Sequence, residues 1–162
     1  MSYAVRNDGQ GWRAVASHED VGPDESFSID EPRTLQIVTG SMVDAERDRR
    51  ISAGFEFNGI TFQSRLPSAG RAGDWEVFSG KALEALIAVI GGAQLGDLRW
   101  SDPAEDFAWI AADNSRVAMD AQTVIALGKA ASAHRSSHTF AGSDLKAMNP
   151  IPADYTDDQW WP

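Results

Sequence analysis

Apolar and polar positions alternate with a period near two at the start of this chain. Tyr3-Ala4-Val5-Arg6 and Trp12-Arg13-Ala14-Val15 flank the turn-rich run Asn7-Asp8-Gly9-Gln10-Gly11, which predicts a hairpin. Phe27-Ser28-Ile29 alternates as a half-buried strand does, and Leu35-Gln36-Ile37-Val38 predicts a further strand, with Pro23 and Pro32 punctuating between them. Residues 1–40 therefore read as a small β-rich module of three or four short strands. So few short strands bury little core, so the module is expected to lean on the rest of the chain or on a partner.

The rhythm then changes. Ser41, with Asp44 three residues on, forms a capping-box pattern that starts a helix, and Gly54 marks its end. Phe55-Glu56-Phe57-Asn58-Gly59-Ile60-Thr61-Phe62 predicts a hairpin around an Asn-Gly type I′ turn, because both residues tolerate the positive φ angles it needs. Leu66 to Gly73 reads as a small-residue loop. Ser79 is read as the cap of an apolar helix through Leu83, Leu86, Ile87 and Ile90, stopped by Gly91-Gly92. Its apolar residues fall on several faces, which predicts a largely buried helix.

A second hairpin runs through Phe107-Ala108-Trp109-Ile110, a turn at Asp113-Asn114-Ser115, and Arg116-Val117-Ala118-Met119. Asp120 caps the last and longest helix. Along it Val124, Leu127, Ala131, His134, His138, Ala141, Leu145 and Met148 recur at steps of three and four, a continuous seam close to a heptad. Asn149-Pro150-Ile151-Pro152 ends the helix. The predicted fold class is α+β: a small N-terminal β module (1–40), then an α+β domain (41–149). In that domain two antiparallel hairpins, expected to share one sheet, are packed by two or three helices. Residues 150–162 form an acidic tail rich in proline and tryptophan.

Charge narrows the function. Twenty-four acidic residues against 14 basic leave a net charge of −10. Phosphate binding needs clustered Lys and Arg, so the balance argues against nucleic acid and anionic membrane surfaces. The basic cluster Arg47 to Arg50 is interleaved with Asp44, Glu46 and Asp48 and reads as an ion-paired helix face. There is no cysteine, which removes disulfides and thiolate metal sites. The longest apolar stretch, Ala82 to Ile90, is too short to cross a bilayer, and no signal-peptide pattern opens the chain, so a soluble protein is expected.

Candidate chemistry is sparse. His134 and His138 stand four apart on a helix, a spacing that can serve one metal. They lack a third ligand and an intervening glutamate, and they fall on the seam, so packed histidines are the favoured reading. Ser68-Ala69-Gly70-Arg71-Ala72-Gly73-Asp74 lacks the Gly-Lys-Ser/Thr ending of a phosphate loop. Among carboxylates, Glu105 and Asp106 adjoin, Asp113 suits a turn and Asp120 a cap. No Gly-x-Ser-x-Gly elbow is present, and His18 falls in a loop. No catalytic residue, cofactor site or metal site is assigned. Trp12, Trp75, Trp100, Trp109, Trp160 and Trp161 are many for this length. Trp160 and Trp161 end the chain, where they either pack back on their own domain or enter a partner.

From Arg47 to Pro162 the chain resembles a bacteriophage domain family of unknown function found in tail-fibre and tail-fibre-assembly proteins. The resemblance is carried by Arg47-Asp48-Arg49-Arg50-Ile51 leading into Gly54-Phe55-Glu56-Phe57-Asn58-Gly59-Ile60-Thr61-Phe62-Gln63. It continues in Gly96-Asp97-Leu98-Arg99-Trp100, Trp109-Ile110-Ala111-Ala112-Asp113-Asn114-Ser115 and Met119-Asp120-Ala121-Gln122-Thr123. The segment Leu66 to Val77 departs from it. The opening Tyr3-Ala4-Val5-Arg6-Asn7-Asp8 and Gly11-Trp12-Arg13-Ala14-Val15 resemble the start of some tail-fibre assembly proteins. The resemblance implies a non-enzymatic protein that binds a phage tail fibre or baseplate protein, as an assembly chaperone or as a structural subunit. Homo-oligomerisation is compatible with it, as are the host cytoplasm during assembly and retention in the virion tail. The contact candidates are Trp160, Trp161, Tyr155 and the seam residues Leu127, His134, His138 and Leu145. The rival reading is a tail protein that binds or degrades host-surface glycan, which requires a cleft with convergent carboxylates.

Overall fold

The structure, a computed structural model, describes residues 1–7, 11–30 and 37–162. The chain divides into two compact units, Met1–Val38 and Thr39–Pro162. In the first, β1 (Ser2–Arg6), β2 (Trp12–Val15) and β3 (Glu25–Ser28) form an antiparallel sheet in the order β2-β1-β3. Tyr3, Ala4 and Val15 are its buried apolar residues, and Tyr3 meets Trp12 edge-on at 5.0 Å. Arg13 spans to Glu25 with two hydrogen bonds of 3.0 and 2.7 Å, tying the start of β3 to β2. The turn residues 8–10 and the first half of the strand expected at Leu35 to Val38 lie outside the described residues. Ile37 and Val38 are not in a strand.

The second unit is α+β: α1 (Gly40–Ser52), β4 (Phe55–Phe57), β5 (Ile60–Phe62), α2 (Asp74–Ile90), β6 (Ala108–Ile110), β7 (Arg116–Ala118) and α3 (Ala121–Ala147). Asn58 (φ 51°) and Gly59 (φ 75°) form the predicted type I′ turn. The β6–β7 loop has a turn closed by Asn114 N–H to Ala111 O (3.0 Å), with Asn114 itself left-handed at φ 69°. That is the usual build of a three-residue hairpin loop. Asp120 caps α3, accepting from Thr123 N–H at 2.8 Å, and its other oxygen accepts from Gly96 N–H at 2.7 Å, so one carboxylate fixes both a helix start and a distant loop.

Several expectations are corrected. The two hairpins do not share a sheet. They stay two-stranded, and between them Ala112 N–H donates to Thr61 O at 2.9 Å. Strands of three residues end before a wider ladder can form. The first helix is capped at Thr39, and the box with Ser41 does not form. Asp44, which should have closed it, instead takes Arg47 and Lys146, each at 2.6 Å. The second helix begins at Asp74, five residues before Ser79. Asp74 suits the positive helix start, and Arg65 N–H donates to its carboxylate at 2.7 Å.

The core joins Phe55 and Phe62 of the first hairpin, Phe78 and Ala85 of α2, Ala111 and Met119 of the second hairpin, and Val124, Leu127 and Ala131 of α3. α2 and α3 approach closely at Gly128, where a Cβ would lie 2.7 Å from the Ala82 Cβ. Only one stripe of α2 takes part. Leu83, Leu86, Ile87 and Ile90 are exposed, which overturns the expectation of a buried helix. α2 packs on one side only, and no other described element of the second unit lies over its other side.

Gly128→Val is therefore expected to force α2 and α3 apart and to cost about 1–3 kcal/mol, since overpacking outweighs the better helix propensity. Urea denaturation of the variant checks this.

Candidate functional site

A groove of about 590 Å³ runs between α2 and the second hairpin, lined by Val77, Phe78 and Lys81 on one side and Phe107 to Ile110 on the other. Its floor is aromatic because alternation along β6 sends Phe107 and Trp109 towards α2. Trp109 stacks on Phe78 with ring centres 4.7 Å apart and planes 6° from parallel. Trp100 packs against Phe107 at 4.8 Å and donates from Nε1 to Met119 O at 3.0 Å, holding that end of the floor.

The rim is charged and internally matched. Asp74 accepts from Arg65 at 3.0 and 3.1 Å, while Asp74 N–H donates back to Arg65 O at 2.9 Å. Burial pushes the Asp74 carboxyl up, but the hydrogen bonds from the Arg65 side chain and backbone outweigh it and hold the group below its ordinary value. Lys81 lies 5.5 Å from the centre of the Phe107 ring and pairs with Glu84 at 2.7 Å.

The backbone of β6 adds a second feature. Ala111 N–H donates to Ser115 O and Met119 N–H to Phe107 O. In the register that pairs Trp109 with Val117, these two pairs and Trp109–Val117 are the hydrogen-bonded ones. The N–H and C=O groups of Ala108 and Ile110 consequently point away from β7, along the outer edge of a sheet that has only two strands. A second hollow of about 310 Å³ adjoins the same edge, sharing Phe107, Ala108 and Ile110 and adding Asp102, Glu105 and Asp106.

Residues 38–159 match the family model of a domain of unknown function, DUF4376. The chain belongs to that family. The matched span begins one residue before the second compact unit and ends three residues before the last residue of the chain. No curated protein and no solved structure matches the chain. Every groove residue lies within the DUF4376 span.

The expected contact residues sit elsewhere in the DUF4376 domain. Leu127 and Leu145 are fully buried on α3. His138 is buried, and its Nδ1 is 2.9 Å from His134 O. His134 is half-buried, stacks on Phe55 at 5.7 Å, and has Nε2 3.2 Å from Ile51 O. The terminal tail packs back on α1 and α3. Trp161 is buried beside Gly142, donates to Tyr155 O at 2.7 Å and has the Arg50 guanidinium 5.3 Å from its ring centre. Arg50 also holds Thr156 O and Asp158 at 2.7 and 2.8 Å. In this state Leu127, Leu145, His138 and Trp161 are closed to a partner. Tyr155, Trp160 and His134 keep only part of their surface. The seam is spent on intramolecular packing, and the contact assignment moves to the groove.

Other candidates are equally accounted for. Asp113 accepts from Ser115 N–H at 2.9 Å within its turn, and Asp106 pairs with Arg99 at 2.9 Å. Arg47, Arg49 and Arg50 pair with Asp44, Asp48, Glu46 and Asp158. Among the described residues no three His, Cys, Asp or Glu lie together as metal ligands, and no helix is long and apolar enough to cross a membrane. The groove was legible only in part. Phe107 and Trp109 carry the alternation of a half-buried strand, but nothing local announces that Asp74 starts a helix beside them.

Two outcomes follow from the packing of the seam. Burial first, and the neighbouring His138 after it, lower the His134 pKa, outweighing the hydrogen bond to Ile51 that raises it. The unfolded chain then takes up a proton that the folded chain refuses, so stability is full above the ordinary value of 6.5 and is lost as pH falls below it. His134→Leu is expected to flatten the fall in stability between about pH 7 and pH 5, read by denaturation at each pH. Trp161→Ala, which empties the site beside Gly142, should destabilise the domain by about 3 kcal/mol, measurable by calorimetry.

Proposed function

We propose that this DUF4376 protein is a non-enzymatic binding protein of a bacteriophage tail whose partner is the tail fibre, acting as an assembly chaperone or a structural subunit. The phage part of this reading rests on the sequence resemblance set out above. The binding part rests on one observation: the outer edge of β6 offers two free backbone donor–acceptor pairs directly above an aromatic floor. An extended polypeptide segment is the ligand such an edge takes, with main-chain hydrogen bonds supplying affinity and pockets for alternate side chains supplying selectivity. The groove suits an apolar side chain over Phe78 and Trp109. The adjoining hollow is lined by Asp102, Glu105 and Arg116, with Asp106 already paired to Arg99, and suits a polar one. Fibre chains carry unpaired strand edges before they assemble, and covering one protects it from aggregation.

The experiment is co-purification of the fibre protein with variants of the β6 edge. Ile110→Pro removes an outward N–H without touching the ladder to β7, and Val77→Asp places a charge on the exposed groove rim. Each is expected to weaken fibre capture by roughly tenfold or more with little change in thermal stability. Capture unchanged in both variants rejects the groove, and no capture by the unmodified protein rejects the fibre. Mass spectrometry of purified virions separates the two roles: a structural subunit is present at fixed copy number and a chaperone is absent.

A further inference from the structure

The outward face of α2 carries a run of aliphatic residues that the rest of the second unit leaves uncovered. Leu83 (59% exposed), Leu86 (45%), Ile87 (63%) and Ile90 (79%) follow one another at steps of three, one and three, so they form one stripe along two turns. From these exposures the four side chains leave about 500 Å² of aliphatic surface in water, within the range of the largest patch on a typical monomer. They supply more than half of the about 800 Å² that each partner brings to a standard interface.

Gly80 lies on the same face, one turn before Leu83. A glycine inside a helix lowers its stability by about 1 kcal/mol relative to alanine. Here nothing within the chain requires it, because a Cβ at Gly80 would meet no atom within 4 Å. Contrast Gly128, whose Cβ position is occupied by Ala82. An open notch beside an aliphatic ridge is what a second helix needs in order to approach closely.

We infer that the α2 face pairs with the α2 face of a second copy of this chain, antiparallel across a two-fold axis. The face is complementary to itself in that direction only. Centred on Ala85, the antiparallel register sets Leu83 against Ile87 of the second copy, and the protruding Ile90 against the notch at Gly80, each contact occurring twice as an isologous interface demands. A parallel pairing sets Ile90 on Ile90, leaves the two notches facing each other as a void, and brings Glu76 against its own copy. In the antiparallel pair the two Glu76 positions are 18 residues apart along the axis, about 27 Å at 1.5 Å per residue, well beyond the screening length of about 8 Å. Lys81 and Glu84 stay at the rim, already paired with each other and with Ser101. Glu84 and its copy come within two residues of each other along the axis, about 3 Å, at the rim of the contact, where each carboxylate is held by Lys81 of its own chain. The net charge of −10 on each chain does repel at longer range, so added salt tightens the pair.

The test uses the full chain alone, in sedimentation-equilibrium runs from low to about 100 µM protein. Dimers that strengthen as salt is raised are expected. Leu83→Glu, at an exposed position, should weaken association by about 100-fold or more while circular dichroism and the melting temperature of the monomer, read at low concentration, stay as they were. Gly80→Leu separates the surface from the register: it should raise the melting temperature of the monomer and weaken the dimer, two changes of opposite sign that no loss of folding produces. A chain that stays monomeric throughout overturns the inference, as does a dimer indifferent to Leu83→Glu. Dimers indifferent to Gly80→Leu overturn the antiparallel register. None of these readouts involves the β6 groove, so they stand apart from the fibre-binding reading.

Discussion

Covering the seam of α3 is the constraint around which the second unit is built. A helix of 27 residues is about 40 Å long, and its apolar positions run from Val124 to Leu145. Among the described residues no other element is long enough to cover that stripe alone. α2 and the hairpins take the N-terminal half, with Phe78, Phe55 and Phe62 set around Leu127 and Ala131. α1 takes the C-terminal half, where Lys146 reaches Asp44 and Gly142 leaves room for Trp161. The tail completes the cover. Its last tryptophan is therefore part of the domain's core structure.

What remains exposed is a by-product of that solution. α2 must turn Phe78, Ala82 and Ala85 towards α3, and the close approach at Gly128 leaves it little freedom to rotate. A helix with apolar residues on more than one face can satisfy only one of them in a unit of this size. Leu83, Leu86, Ile87 and Ile90 are left on the other side. The hairpins are likewise drawn to the helices one at a time, and three-residue strands do not extend into a common sheet. The outer edge of β6 stays open for that reason.

Charge is handled locally. The arginines of α1 are matched by carboxylates one to four residues away and by Asp158 of the tail, and Arg65 and Arg71 converge on Asp74. Matched pairs at a surface contribute little stability each, but they place cations where they neutralise the positions around the tail and the groove. Carboxylates outside these pairs are spread over loops and elements alike, among them Glu56 of β4, Glu76 of α2 and Asp144 of α3. Such a molecule repels its own kind at a distance and depends on apolar contact at short range, which favours shape over charge as the basis of selection.

Local chemistry determined much of this protein by itself. The Asn58-Gly59 turn, the Asp120 cap, the Gly91-Gly92 stop and the period of the last helix each depend on a few neighbouring residues, and each was legible. The ion-paired reading of Arg47 to Arg50 was legible for the same reason. Whether a face is buried, by contrast, is a question about what lies opposite, and that only the tertiary structure decided. It buried the seam and Trp161 within the chain, drew Asp44 away from Ser41 to Lys146, started α2 at Asp74 through Arg65, and left one face of α2 and one edge of β6 uncovered. Periodicity shows that a helix has an apolar side, but partners far along the chain choose which side is covered.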